Sequence, residues 1–168
     1  MGLIDFVKSA GEKIFGGDDE PEAQNQAQVR EYSPEEIRRI NERRAAARLV
    51  TLVQGLGFEV EDFSVKVEEG VATVSGKVSS QEEREKIVLA VGNTAGIGQV
   101  ADELGVEAVE PEATYYTVQS GDSLSKIAKQ YYGNAMKYPE IFEANKPMLS
   151  DPDKIYPGQV LRIPPLAE

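Results

Sequence analysis

The sequence predicts an α+β protein made of two small domains. Its 168 residues are 40% apolar but only 7% aromatic, which is enough for one or two small cores. The apolar residues change between helical and alternating spacing, first in the order α-β-β-α-β and then in the order β-α-α-β. The acidic, proline-containing stretch of residues 107–114 interrupts this pattern and is predicted to be a linker between the domains.

The first 15 residues, 1–15, are predicted to form an amphipathic helix. Apolar side chains recur with helical spacing at Leu3, Phe6, Val7, Ala10 and Ile14. Three arrangements are open: the helix docks on the next domain, lies on a membrane surface or is a frayed tail. Because few basic residues flank it, we expect no stable membrane insertion. Residues 16–32 are polar and rich in glutamine, which predicts a flexible linker.

The N-terminal stretch also bears on where the protein is located. A secretory signal needs an uninterrupted apolar core and a small-residue cleavage site. Asp5 and Lys8 interrupt the apolar residues here, and no such cleavage site follows them. We therefore expect a cytoplasmic protein.

The first domain is predicted over residues 33–106 and begins with a helix. Ser33 has the position of an N-cap, Pro34 that of the first helical residue, and Glu36 completes a capping box. The helix is expected to run to about Gln54, where two nearby glycines end it.

A hairpin, a second helix and a third strand complete this domain. Alternating apolar residues on either side of the Glu68-Glu69-Gly70 turn predict the β-hairpin. Ser79 or Ser80 caps a helix over residues 81–91, and residues 100–106 have the pattern of a strand. This order predicts a helical layer on a small mixed sheet.

The second domain is predicted over residues 115–168. Strands at residues 115–118 and 159–163 enclose two helices, one that runs through Gln130 and one over residues 138–145. A unit of about 50 residues is small for a lone core, so its two strands must pair with each other.

The composition excludes several classes of function. With no Cys and no His, the chain has no disulfides, thiolate nucleophiles, zinc-thiolate sites or imidazole-based catalysis. Neighbouring carboxylates in strands point to opposite faces, and those in turns are solvated, so we predict that the protein is not an enzyme. With 29 acidic and 18 basic residues, it is not expected to bind nucleic acid. The acidic excess lies mainly in residues 45–114, which is typical of a soluble domain and also favours cations.

Two segments carry a family resemblance. The run Y-T-V-Q-S-G-D-S-L-S-K-I-A-K-Q-Y-Y-G from residue 116, with I-Y-P-G-Q-V-L-R-I-P from residue 155, resembles a LysM domain. The hairpin turn at Gly70, the V-x-G that ends at Gly76 and the G-I-x-x-V of residues 96–100 resemble a BON domain. The whole chain resembles the bacterial cytoplasmic potassium-binding family built from these two domains. This resemblance implies a small BON-type α/β sandwich followed by a βααβ LysM domain.

The residues themselves offer two places for a monovalent cation. Proteins select potassium with several carbonyl oxygens that replace its water, and the last carbonyls of a helix are unpaired and partly negative. One such end is predicted at Val7–Gly11, and the other at Gly92–Ile97. In the second, Gly92, Asn93 and Gly96 can adopt positive φ angles. Without the resemblance, the favoured interpretation of this turn is a plain helix cap.

The resemblance implies that these turns hold potassium. It implies an ion cage of main-chain oxygens whose ligands carry over onto Val7, Ala10, Gly92, Thr94 and Ile97. We expect the ion to dock the N-terminal helix on the BON domain, with docking of the LysM domain as a further expectation, so that binding and compaction are one event. Rubidium and caesium are expected to fit, whereas a cage of this size cannot close on sodium. The expected protein is a monomer, and its role as potassium sensor, buffer or stress-response factor stays open.

Carbohydrate binding is the alternative function. LysM domains generally hold N-acetylglucosamine polymers such as peptidoglycan in a groove between two loops. The corresponding residues here are Gly121, Asp122, Ser123, Leu124, Asn145 and Ile155. A structural interpretation of the same residues is also open, since Gly121-Asp122 has the pattern of a turn and helix cap. Because peptidoglycan lies outside the membrane and the sequence shows no export signal, this function ranks second.

Overall fold

The computed structural model of the protein describes residues 3–6, 31–108 and 110–166, and it has the predicted α+β architecture. A mixed four-stranded sheet carries two helices in the first domain, and a two-stranded sheet carries two shorter helices in the second. The elements are β1 (Leu3–Asp5), α1 (Pro34–Gly55), β2 (Glu61–Glu68), β3 (Val71–Val78), α2 (Gln81–Gly92), β4 (Gln99–Val106), β5 (Thr114–Thr117), α3 (Leu124–Tyr132), a 3-10 turn (Ala135–Lys137), α4 (Tyr138–Ala144) and β6 (Val160–Ile163).

The sheet of the first domain has the strand order β1-β4-β3-β2. β2 and β3 form the predicted antiparallel hairpin, whereas β3 and β4 are parallel because α2 connects them as a crossover helix. α1 and α2 pack against the sheet and against each other, burying Leu49 and Val53 of α1 and Ile87 and Val88 of α2. The predicted helical layer on a mixed sheet is confirmed.

Local capping signals explain where the helices begin. The Ser33 hydroxyl accepts a hydrogen bond from Glu36 N at 3.2 Å, and Glu36 Oε2 accepts one from Ser33 N at 2.9 Å, which completes the capping box. Of the two serines that could cap α2, Ser80 does so, because its hydroxyl accepts a hydrogen bond from Glu83 N at 3.2 Å.

The N-terminal residues differ from the prediction. Leu3–Asp5 form a strand that pairs antiparallel with the outer edge of β4. Exposure alternates with period two, since Leu3 is 58% exposed, Ile4 is half-buried and Phe6 is buried. The prediction of a helix is therefore wrong for these residues, because strand pairing satisfies a sheet edge that a helix would leave open. The rest of the predicted helix and most of the predicted linker, residues 7–30, lie outside the described residues.

The second domain is built around the antiparallel pair β5 and β6, as predicted. Ser123 caps α3 by accepting a hydrogen bond from Lys126 N at 3.3 Å, and Gly133 ends the helix with a φ of 69°. α3 and α4 pack on each other and bury Ile127 and Ile141 beneath the strand pair. The buried side chains of the two domains form one contiguous apolar cluster. The domains are therefore joined by packing as well as by the chain.

Candidate functional site

The turn that follows α2 has an unpaired carbonyl at the negative end of a helix. The carbonyls of residues 89–91 accept hydrogen bonds from the main chain of Asn93 and Thr94 and from the Thr94 hydroxyl, at 2.9–3.2 Å. The Gly92 carbonyl accepts no hydrogen bond from any residue that the structure describes. The last turn of α2 contains no basic side chain, so its partial negative charge is not compensated there. This geometry suits a cation.

The residues of this turn differ in what their backbone requires. Gly96 has a φ of 85°, as predicted, but Asn93 has a φ of −79° and Gly92 belongs to α2. The prediction of positive φ is therefore wrong for Gly92 and Asn93. Gly92 is glycine for another reason, because a Cβ atom there would lie 2.0 Å from the ring atom Cζ of Phe6.

Phe6 attaches the N-terminal strand to this turn. Its ring is buried against Gly92, and its N–H donates a hydrogen bond to Gly98 O at 2.7 Å. The structure therefore brings the N-terminal segment to the turn, through a strand where the sequence predicts a helix. Val7 and Ala10, the two predicted ligands from this segment, lie outside the described residues.

The other three predicted ligands lie within a single turn. Ile97 N donates a hydrogen bond to Thr94 O at 3.2 Å, which folds the chain back between Gly92 and β4. A carbonyl oxygen has two lone pairs, so Thr94 can accept this bond and still contact an ion. Within the described ranges, no group of three or more carboxylates is placed to hold a metal ion. The three residues remain predicted ligands, and their main-chain oxygens are the atoms that could coordinate an ion here.

A groove of about 430 Å³ opens beside this turn. One wall is formed by Ala95, Gly96 and Ile97, and the other by the first turns of α1 from Pro34 onward. The described chain continues from residue 31 and enters α1 at Pro34, so the start of the helix that follows residues 7–30 lines this groove.

Asn93 connects the same turn to the second domain. Its side-chain Nδ2 donates a hydrogen bond to Val160 O, and its Oδ1 accepts one from Val160 N, both at 2.9 Å. Nδ2 also lies 3.3 Å from the sulfur of Met148. The side-chain amide thus pairs with β6 as a neighbouring strand would. Sequence reasoning missed this role, because the two partners are 67 residues apart.

A buried ion pair forms the other end of the domain interface. Arg162 of β6 donates from Nε to Glu85 Oε2 of α2, and both side chains are almost fully buried. Glu85 Oε1 accepts further hydrogen bonds from Gln81 Nε2 at 3.0 Å and Ala113 N at 3.1 Å. A buried pair of this kind is costly to break, since removing one partner leaves an uncompensated charge. The signal in the sequence is an acid at position 85, on the apolar side of α2, but nothing local identifies its partner.

In the turn that was predicted to bind carbohydrate, Gly121 and Asp122 form hydrogen bonds within their own domain. Gly121, with a φ of 85°, has its carbonyl bound by Lys126 Nζ at 2.7 Å. Asp122 Oδ2 accepts hydrogen bonds from the Tyr116 hydroxyl at 2.7 Å and from Gln119 N at 2.8 Å. The hydrogen bond to Asp122 is the main cause that raises the pKa of Tyr116 to about 12. The turn and cap predicted as the structural interpretation are therefore both formed.

The remaining carbohydrate candidates have structural surroundings. Leu124 is buried, and Ile155 is half-buried. Asn145 is 1% exposed, and its side-chain amide binds the main chain of Arg162 at 2.8–2.9 Å and Ile141 O at 2.7 Å. The Asn145 side chain is thus occupied within the domain, which leaves Ile155 as the more accessible of these three.

Comparison with known proteins identifies both domains. The BON domain family matches residues 41–108, and the LysM domain family matches residues 116–164. The chain is 43% identical over 164 residues to the potassium binding protein Kbp of Escherichia coli O6:H1, covering 98% of this chain and 99% of that protein. It is 51% identical over 69 residues to an uncharacterized protein of Deinococcus radiodurans, covering 40% and 26% of the two chains. A Mycobacterium tuberculosis protein named as an esterase is 43% identical over 60 residues, which cover 36% of this chain and 13% of that one.

None of the helices in residues 31–108 and 110–166 is both long enough and apolar enough to cross a bilayer.

Proposed function

This chain, with its BON and LysM domains, belongs to the family of the potassium binding protein Kbp, and from that membership we propose that it binds potassium. The single observation that carries the proposal is the similarity to Kbp, which extends over 98% of the chain. The turn after α2 is the place that we propose for the ion. Its unpaired Gly92 carbonyl, at a helix end without a basic residue, supports this assignment.

The proposed ligands are main-chain carbonyls, which suit potassium because several of them together replace its hydration shell. We assign this role to Val7, Ala10, Gly92, Thr94 and Ile97. Rubidium and caesium fit the same cage, and sodium binds poorly. The contact between Phe6 and Gly92 supports a shared site, since it fixes the start of the N-terminal segment beside the turn.

Ion binding is proposed to compact the protein. An ion shared between the N-terminal segment and the turn favours the arrangement in which the two are close, and it stabilises that arrangement in proportion to its concentration. The groove beside the turn supports this step, because one of its walls is the start of α1, the helix that follows residues 7–30. Binding of the ion and docking of the segment are then one event.

Peptidoglycan binding is the second candidate, and the LysM match over residues 116–164 favours it. The groups that would contact a glycan are largely occupied, however, since Asp122 and Asn145 bind neighbouring groups of their own domain. We therefore rank glycan binding below potassium binding. Retaining a fold does not imply retaining its ligand.

The location, oligomeric state and cellular role of the protein are proposed as follows. We propose that the protein is a cytoplasmic monomer that serves as a sensor or buffer of potassium or as a stress-response factor. We also propose that the protein binds its ligand without catalysing a reaction, and that it does not bind nucleic acid.

Calorimetric titration of the metal-free protein with potassium chloride tests the proposal. Sodium and calcium chloride at matched ionic strength are the controls, and rubidium and caesium test the size of the cage. We expect saturable heat for potassium, rubidium and caesium, together with a rise in melting temperature. Absence of heat for every cation, with retention of the protein on purified peptidoglycan, would replace this proposal with the glycan function.

A further inference from the structure

The outer edge of β6 is closed by two asparagine side chains. β6 pairs with β5 on its other side, where the chain continues the ladder through Val118 N to Gln159 O at 2.8 Å. The main-chain groups of Val160 and Arg162 alternate with those of the ladder and point away from β5. An unpaired strand edge is costly when it is buried, so these groups need partners.

The two asparagines come from different domains. Asn145, in the LysM domain itself, accepts from Arg162 N at 2.8 Å and donates to Arg162 O at 2.9 Å. Asn93, in the BON domain, makes the same pair of bonds to Val160, both at 2.9 Å. One half of this edge therefore stays closed by the LysM domain alone, while the other half is closed only when the BON domain is docked.

Asn93 lies between two of the proposed ion ligands. The carbonyls of Gly92 and Thr94 belong to the residues directly before and after it, and a hydrogen bond weakens steeply when its angle departs from linear. Any rearrangement of the turn on ion binding therefore changes the position of the Asn93 amide relative to Val160. The Glu85–Arg162 pair is eight residues earlier on α2, about 12 Å along the helix axis, and is not part of this turn.

We propose that Asn93 is the positioning residue through which the potassium site controls docking of the LysM domain. This inference rests on the proposed function and identifies how that function reaches the second domain. Potassium fixes the turn, the turn holds the Asn93 amide in line with Val160, and the outer edge of β6 is closed. The Glu85–Arg162 pair holds the domains together with or without the ion, and Asn93 supplies the contact that depends on it. Because coupling is reciprocal, loss of the Asn93 contact weakens the binding of potassium.

Hydrogen exchange of single amides in the full chain, measured by nuclear magnetic resonance, tests this directly. Potassium should slow exchange of the Val160 amide by about tenfold, within the roughly 5- to 150-fold range of coupled sites. The Arg162 amide is the internal control, since its acceptor Asn145 is in its own domain, and its exchange should change by less than about twofold. Choline chloride at equal ionic strength replaces potassium in the reference sample.

A pair of variants supplies a second, independent readout. Asn93→Ala should weaken potassium binding by about tenfold in calorimetry, by the reciprocity of coupling. Gln81→Ala is the matched control, because Gln81 is also a buried amide of α2 at the interface but lies at the far end of the helix. Its potassium affinity should stay within about twofold of the original.

The outcomes separate this inference from the proposed function. If potassium binds but Val160 exchange does not respond, or if Gln81→Ala weakens binding as much as Asn93→Ala, the role of Asn93 is overturned and the ion site stands. If potassium does not bind the unaltered protein, both are overturned. If Asn93→Ala does not fold, the exchange of Val160 in the unaltered protein decides alone.

Discussion

Two glycine-containing turns, one in each domain, show what separates a candidate ion site from a structural cap. The turn at Gly92–Ile97 follows the C-terminal end of α2, and no basic residue lies in the preceding helical turn. Its Gly92 carbonyl accepts no hydrogen bond from the described part of the chain. The turn at Gly121–Ser123 precedes the N-terminal end of α3. Its Gly121 carbonyl already accepts a hydrogen bond from the Lys126 ammonium group. The second turn contains its own cation, and the first has an open place for one.

The electrostatics of the two helix ends agree with this difference. The C-terminal end of a helix has a partial negative charge and the N-terminal end a partial positive charge. Ser123 satisfies the positive end of α3, because its hydroxyl accepts a hydrogen bond from Lys126 N as an N-cap does. The last turn of α2 itself contains no basic side chain. We therefore expect substitutions that move the main-chain carbonyls of the first turn to change ion binding, and substitutions in the second turn to change only stability.

The largest effect is expected for Gly92→Ala. Alanine normally stabilises a helix, but here its Cβ would lie 2.0 Å from the Phe6 ring, so the ring or the N-terminal strand must shift. Overpacking costs about 1–3 kcal/mol, which corresponds to roughly a 5- to 150-fold loss of potassium affinity if the shift disrupts the shared site. Calorimetric titration measures this loss.

Gly55→Ala is the matched control for that substitution. Gly55 ends α1 as Gly92 ends α2, but a Cβ atom there would meet nothing within 4 Å. This variant should keep its potassium affinity and gain up to about 1 kcal/mol of stability. If Gly92→Ala and Gly55→Ala bound potassium equally well, ion binding would not depend on the contact between Gly92 and Phe6.

Asp122→Ala should give the next largest effect, on the stability of the LysM domain. The change removes the acceptor of the Tyr116 hydroxyl and of Gln119 N, and loss of such charge-assisted bonds costs about 1–3 kcal/mol. Denaturant unfolding measures it, with exposed Asp153→Ala, expected within about 0.5 kcal/mol, as the control. A fall in potassium affinity for Asp122→Ala at temperatures where the domain stays folded would contradict the division between the turns.

Alkaline pH should lower the stability of the LysM domain through the Tyr116–Asp122 hydrogen bond at the Gly121–Ser123 turn. The hydrogen bond to Asp122 raises the pKa of Tyr116 from its usual value of 10.0 to about 12 in the folded protein. A raised folded-state pKa gives stability that is present below pH 10.0 and is lost as pH rises through about 12. Denaturation midpoints across this range should fall less in Tyr116→Phe than in the original protein. Burial also raises the pKa of Tyr156 to about 12, and this contribution is common to both proteins.

The smallest effect is expected for Thr94→Ala. The proposed ligand at this position is the main-chain carbonyl, and the variant retains it. Only the hydroxyl bond to Ala90 O at 3.0 Å is lost, so affinity for potassium should change by about 0.5 kcal/mol or less, near twofold. A large loss in calorimetry would indicate that the side chain, and not the carbonyl, contacts the ion.

Most of the fold could be predicted because its signals are local. The serines that cap α1 and α3 lie directly before their helices, and the β2–β3 turn has φ angles of 50° at Glu69 and 79° at Gly70. The strand at Leu3–Asp5 could not be predicted this way. Its four-residue pattern fits a helix equally well, and only the edge of β4, nearly 100 positions away, selects the strand.

The turn after α2 could be predicted in position, but its contacts with the rest of the molecule could not. Its glycines mark the turn after α2, yet the reason for Gly92 is the Phe6 ring and not a positive φ. Asn93 has no local signal for its contact with Val160, and the Glu85–Arg162 pair joins residues 77 positions apart. Contacts of this kind follow from domain packing, which the periodicity of one segment does not encode.

Removal of the N-terminal segment tests most directly whether the ion is shared between that segment and the turn. The full chain and a variant lacking residues 2–15 are titrated with potassium chloride, after melting in the absence of potassium shows that both are folded. The shared carbonyl cage predicts that the full chain binds potassium and that the variant loses at least about 1.4 kcal/mol of binding free energy, a tenfold change. Unchanged potassium affinity in the variant would contradict it.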